Sequence, residues 1–146
     1  KGVEKKEEKK KKIKIVIAVG KRKKSVARAV IREGSGKIRV NSRLLDLISP
    51  KYTRMRIKEP LILAGDLAGK VDIDVSVKGG GFWGQADAAR TAIANALVEF
   101  SKNKELKEMY LDYDRSILIS DARQTEPHKP SRSTAGPRRT KQQSKR

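Results

Sequence analysis

The sequence predicts an α+β fold in two layers: a mixed sheet of about four strands with helices packed on one face, plus extended basic arms at both ends. Three observations carry this. Val71, Ile73, Val75 and Val77 alternate with Asp72, Asp74 and Ser76, the period of a strand with one buried and one wet face. From 85 to 101, Ala89, Ile93, Ala96, Leu97 and Phe100 fall at helical spacing, an Ala-rich stripe that lets a helix lie close on a sheet. Strand patterns cluster ahead of this helix and of another at 104–112, without the regular alternation of a parallel α/β sheet.

Taken in order, residues 13–19 form a β-branched run suited to a buried strand. Gly20 with Lys21, Arg22, Lys23 and Lys24 is expected to break that run into a basic loop. From 25 to 33, Ala27, Ala29 and Ile31 alternate with Val26, Arg28, Val30 and Arg32, a second strand whose other face is partly cationic. The turn Gly34-Ser35-Gly36 and a short return over 37–40 predict a hairpin across 25–40. A helical turn at 44–48 stops before Pro50. A short helix over 61–67 opens on Glu59-Pro60, since proline suits the first turn, and closes at Gly69. The helix at 104–112 places Leu106, Met109 and Tyr110 on one side.

Across 146 residues the chain carries 36 Lys and Arg against 17 Asp and Glu, a net charge of +19. Self-repulsion on that scale is relieved where phosphates neutralise it and release condensed counterions, so a nucleic acid is the expected partner. Residues 1–12 read as a basic flexible extension, 13–120 as the globular domain and 121–146 as an extended basic tail. Apolar residues recur only in the middle segment, and the ends hold too few to offset chain entropy. No apolar run is long enough to cross a bilayer, and no basic helix has an aromatic-rich face, so no membrane partner is expected. Without cysteine there is no disulfide, thiolate or sulfur-bound zinc. The first residues lack the apolar stretch of a secretory signal, which makes a cytoplasmic location the expectation.

The stretch Gly79-Gly80-Gly81-Phe82-Trp83-Gly84 satisfies G-x-G-x-x-G after a strand and before a helix, the setting of a dinucleotide fingerprint. The match is weak, because no parallel series of strands surrounds it and the acidic residue the fingerprint would need, Glu99, falls inside the helix. Gln85-Ala86 stand where a P-loop requires Lys and Ser or Thr. The glycines can instead admit a phosphate to backbone N–H groups at a helix N-terminus, or simply make a tight turn. His128 is the only histidine and sits in a basic, Pro-rich stretch, while Asp72 and Asp74 are explained by the wet face of their strand. No catalytic residue, metal site or cofactor is therefore expected. Aromatic residues are few, which argues against a stacking platform for single strands and for recognition of phosphates and shape in folded RNA, or in DNA. Two other classes stay open at this point: a DNA-architectural protein using the same counterion release, and an enzyme with a dinucleotide in the glycine loop.

The residues from Gly20-Lys21-Arg22-Lys23-Lys24 to Ala29, then Glu59-Pro60-Leu61, Asp72-Ile73-Asp74-Val75, Lys78-Gly79-Gly80-Gly81 and Gly84-Gln85-Ala86-Asp87-Ala88-Ala89-Arg90, resemble the universal ninth protein of the small ribosomal subunit. Gln143-Ser144-Lys145-Arg146 extends the resemblance to the last residue, and Glu126-Pro127-His128-Lys129-Pro130 looks like archaeal or eukaryotic members. The resemblance implies a structural protein of the subunit head whose partners are small-subunit ribosomal RNA, the tRNA at the peptidyl site and neighbouring head proteins. Carried onto this sequence, it implies ribosomal RNA contacts at Lys21, Arg22, Lys23, Lys24, Arg28, Gly79, Gly80, Gly81, Gln85 and Arg90. Further contacts are implied along the tail at Arg123, Lys129, Arg132, Arg138, Arg139 and Lys141, with tRNA contacts at Lys145 and Arg146. Lys145 stands where archaeal and eukaryotic members often have Tyr.

Overall fold

The computed structural model describes residues 14–127. The strands are β1 (Ile15–Arg22), β2 (Ser25–Glu33), β3 (Ile38–Val40), β4 (Arg43–Leu44) and β5 (Val71–Lys78); the helices are α1 (Lys51–Ala64), α2 (Phe82–Ser101) and α3 (Lys104–Tyr113). They form one mixed sheet in the order β1-β2-β5-β3-β4, in which only β3 and β5 run parallel. The α+β class holds, with the two-residue β4 as a fifth strand.

The core follows from alternation. Ala27, Ala29 and Ile31 on β2 and Val71, Ile73, Val75 and Val77 on β5 face inward beneath α2. Ala88, Ala89, Ala92, Ile93, Ala96 and Leu97 of α2 are buried against them, and α1 packs alongside α2. Small residues set the spacing of the two layers. A Cβ on Gly20 would lie 2.2 Å from the carbonyl oxygen of Ala88 and 2.6 Å from the Ala92 nitrogen, so α2 rests on bare backbone there.

Four sequence expectations change. The run 13–19 is not a buried strand: β1 is an edge strand that turns Ala18 and Gly20 inward and leaves Ile15, Ile17 and Val19 more than half exposed. Gly20 does not end β1 either, which continues to Arg22, so the basic loop shrinks to the two-residue turn Lys23-Lys24. Residues 25–40 are not a hairpin. β2 pairs with β5 over eight positions, more than the three-residue β3 can offer, and β5 lies between them. Asp72 holds the intervening turn on β5 by accepting from the Ser35 and Lys37 backbone N–H groups at 2.9 and 3.0 Å, bonds that lower its carboxyl pKa. Finally, Pro60 does not begin a helix. α1 starts after Pro50 and runs through Pro60, its inner face set by Thr53, Ile57, Pro60 and Leu61 at helical spacing. In α3, Leu106 and Tyr110 face the core but Met109 is exposed. The Tyr110 hydroxyl donates to the Pro60 carbonyl at 2.7 Å, clamping α3 to α1.

Gly20→Val should therefore separate α2 from β1 and destabilise the domain by about 2 kcal/mol or more, through overpacking that neither backbone can relieve. Gly69, whose Cβ would meet nothing within 4 Å, supplies the control. Urea unfolding of the two variants should show a large fall in midpoint for Gly20→Val and a change within about 0.5 kcal/mol for Gly69→Ala.

Candidate nucleic-acid interface

Two segments far apart in sequence meet at one end of the sheet. The Lys23-Lys24 turn joins β1 to β2, and the glycine block joins β5 to α2; β2 pairs with β5, so both connections lie side by side. Ser25 fastens them. It is fully buried, and its hydroxyl donates to the Gly79 carbonyl at 2.9 Å. The Gln85 amide donates to the same oxygen at 3.2 Å, so Gln85 shapes the glycine turn. Gly79 and Gly80 hold φ of 78° and 66°, where a side chain would be strained, and a Cβ on Gly80 would come within 2.2 Å of the Ser25 hydroxyl. Gly81 has ordinary φ and open space around it.

The result is a hollow of about 340 Å³ walled by Lys23, Lys24, Gly80, Gly81 and the exposed rings of Phe82 and Trp83, with Gln124 and Thr125 closing one side. Lys21 is exposed nearby on β1. Arg28 is exposed on the open face of the sheet, opposite Val19. The sequence placed Phe82 and Trp83 in a loop and gave them no role; the structure makes them the first turn of α2.

The arginines behave differently. Arg90, only 2% exposed, forms an ion pair from Nε to Glu59 at 2.9 Å and donates from Nη2 to Asp114 at 2.6 Å. Arg56 bridges Glu59 and Asp87, each at 3.0 Å. Arg22 reaches Asp87 at 3.8 Å and Asp121 at 2.9 Å, and Arg123 meets Asp121 at 2.7 Å. Charges of alternating sign thus run from Asp114 to Arg123 without a break. Arg90 Nε and Arg22 Nη1 make their contacts as charges, without the alignment of a hydrogen bond. Arg90 is accordingly enclosed and cannot present its guanidinium to a polyanion; Arg22 is largely covered, whereas Arg123 keeps an 82% exposed side chain. Lys129, Arg132, Arg138, Arg139, Lys141, Lys145 and Arg146, with His128 and residues 1–12, lie outside the described residues.

The glycine block does not form a dinucleotide site of the doubly wound kind. β5 has the antiparallel β2 on one side, so no parallel crevice opens at its end. Among the described residues no group of His, Cys, Asp and Glu is arranged to hold a metal ion, and no helix is long and apolar enough to cross a membrane.

In this small α+β domain Arg22, Arg32, Arg56, Arg90 and Arg123 pair with carboxylates while Lys23 and Lys24 stay exposed beside a glycine turn, the make-up of a basic protein with a surface suited to an anionic partner. The sequence comparisons specify which kind. Residues 20–146 match the family described as Ribosomal protein S9/S16. Small ribosomal subunit protein uS9 of Methanococcus vannielii is 57% identical over 132 residues, covering 90% of this chain and 98% of the relative. The uS9 protein of Methanococcus maripaludis strain C7 is 54% identical over the same coverage. The chain belongs to the ribosomal protein S9 family: it is a structural constituent of the small ribosomal subunit, acting in translation in the cytoplasmic ribosome, and not an enzyme.

The charge chain sets a pH response. Burial on its own would raise the Asp114 carboxyl, but hydrogen bonds from Arg90 and Ser116 outweigh it and hold the pKa at about 2; those from Arg123 do the same for Asp121. Both lie below the unfolded value of 3.8, so their contribution is complete above about pH 4 and is lost as pH falls through about 2. Thermal melts from about pH 5 to pH 2 should show that loss, and Asp114→Asn should flatten part of it. Arg90→Met, which leaves Asp114 without its arginine and Glu59 with Arg56 alone, should cost about 3 kcal/mol at neutral pH. A melt unaffected by Arg90→Met would show the chain to be ornamental.

Proposed function

We propose that the chain binds small-subunit ribosomal RNA through the Lys23-Lys24 turn and the adjoining glycine block, with Lys21, Arg28 and Arg123 extending the cationic surface. The organisation is a globular domain over 13–120 with basic arms at 1–12 and 121–146, and Lys129, Arg132, Arg138, Arg139 and Lys141 continue the RNA contact along the second arm. The observation that carries this reading is the joining of two exposed lysines to Gly79, Gly80 and Gly81 by the buried Ser25. Lys23 supports it further: it occupies φ of 52°, a conformation that costs an ordinary side chain about 1 kcal/mol and that glycine or asparagine would adopt more easily. A charge kept at a strained position serves a purpose other than the turn. Neighbouring proteins of the subunit head are further partners. Lys145 and Arg146 reach the tRNA in the peptidyl site, the ammonium as a point charge and the guanidinium as a two-pronged donor to phosphate.

Replacing Lys21, Lys23 and Lys24 together by Gln should lower the slope of log K against log salt for RNA binding by about two units, at somewhat under one unit per phosphate contact. An unchanged slope would mean that these lysines only face solvent. Deleting residues 143–146 should leave incorporation into subunits and the melting of the domain unaltered. It should weaken retention of peptidyl-site tRNA by roughly tenfold, the equivalent of one charge-assisted contact. Filter binding of tRNA to subunits carrying the shortened chain measures this, and undiminished affinity would assign the tail to ribosomal RNA alone.

A further inference from the structure

Phe82 and Trp83 are two of only six aromatic residues in the chain, yet they stand together on the surface, 58% and 50% exposed, and belong to no part of the core. Their ring centroids are 5.7 Å apart with the planes tilted by 39°. Exposing two large rings side by side is unfavourable in water, and neither the turn nor α2 requires them. The hollow described above lies against one side of this pair. A second, of about 410 Å³, opens on the other side of Phe82, between it and Val40, Arg43, Ile57, Val77 and Ala86. Phe82 thus lines two cavities, each within the volume range of small-ligand sites.

We infer that unpaired nucleotides of the RNA enter these hollows, their bases stacking on Phe82 and Trp83 while their phosphates lie on Lys23, Lys24 and Arg43. This rests on the RNA-binding reading above and adds what charge alone cannot supply. Lysines on a turn explain attraction to any phosphate chain but leave the two rings without a function. The rims favour a nucleotide over an apolar peptide, because Lys23 and Lys24 border one hollow, Arg43 borders the other, and no Asp or Glu lines either. Bases in a duplex have their faces covered by neighbouring pairs. Only loops, bulges and ends can offer a base to an aromatic side chain, so the site selects unpaired RNA. It also revises the sequence expectation that this chain lacks a stacking surface: a tally of aromatic residues does not reveal that two of them share one exposed turn.

Trp83 is the only tryptophan in the chain, so its emission reports on this site alone. The full-length protein should be titrated at physiological ionic strength with an unstructured RNA of about eight nucleotides and with a fully paired duplex carrying the same number of phosphates. The single strand should quench Trp83 and the duplex should leave it nearly unchanged. Phe82→Ala, followed by anisotropy of labelled RNA, should weaken single-strand binding by roughly tenfold while duplex affinity and the salt slope stay as in wild type. Because Phe82 lies outside the core, the variant should melt like wild type, which separates lost stacking from lost folding. Equal affinity of wild type and Phe82→Ala for the single strand, with salt-dependent RNA binding intact, would overturn the stacking site and leave the RNA-binding reading standing. Failure of the wild-type chain to bind either RNA would overturn both.

Discussion

A guanidinium enclosed between helices has to be neutralised where it stands, and Arg90 imposes that requirement on everything around it. Removing its charge from water costs several kcal/mol unless carboxylates replace the lost hydration, and here Glu59 of α1 and Asp114 after α3 do so. Neither carboxylate is a neighbour in sequence, lying 31 and 24 residues from Arg90. The demand is therefore met only when α1, α2 and the end of α3 have assembled. The same carboxylates pass the constraint outward, since Glu59 also meets Arg56, Arg56 meets Asp87, Asp87 meets Arg22, and Arg22 holds Asp121 where the chain leaves the domain. Asp121 is thus held by a series of ion pairs that begins in the core.

A second constraint, steric rather than electrostatic, places the cationic turn against the glycine block. Gly20 lets α2 rest directly on β1, which brings the first turn of α2 level with the end of that strand. Ser25 then closes the remaining gap, bonded to the Gly79 carbonyl and so near Gly80 that a side chain there would strike it, while at Gly79 the Lys24 carbonyl leaves no room. The hollow beside Lys23 and Lys24 is in this sense a by-product of layer spacing: small residues in the core determine how close two surface connections come. A change as buried as Gly20→Val would be felt at the interface.

Periodicity revealed those elements whose two faces differ in polarity, and β5, β2 and most of α2 were legible for that reason. The reading failed where burial was set by something other than apolar character. In β1 the fully buried residues are Ala18 and Gly20, Val16 is only partly buried, and Ile15, Ile17 and Val19 face out, so hydrophobicity does not rank them, because helix proximity selects for smallness. In α1 the Glu59-Pro60 pair imitates a helix start, although Thr53, Ile57 and Leu61 already carried the spacing of a longer helix. β5 displaces β3 from its expected partner by pairing with β2 across separations of 38 to 52 residues, which no local pattern encodes. At the interface, the lysine cluster and the glycine block were each visible, but their adjacency was not, and Arg90 gave no sign of being internal, since residue type alone does not tell a buried arginine from an exposed one.

That last failure points to a division of labour between the two basic residue types. Among the described residues, the ion pairs fall on Arg22, Arg32, Arg56, Arg90 and Arg123, with Lys58 the one lysine among them. A planar fork with five donors can satisfy two carboxylates at once and is less strongly hydrated than an ammonium, so arginine suits half-buried junctions between elements. Lysine keeps its hydration and its mobility, and Lys21, Lys23 and Lys24 remain at the surface. Glu59, Asp74, Asp87 and Asp114 are engaged by arginines, and no acidic side chain lines the hollow beside the turn. A domain with 12 acidic residues over 15–120 can then hold its own fold together and still present an unopposed cationic edge. On the proposed reading, RNA meets a surface whose geometry is already set by internal pairs, so little ordering of the domain is required on binding and more of the counterion release appears as affinity.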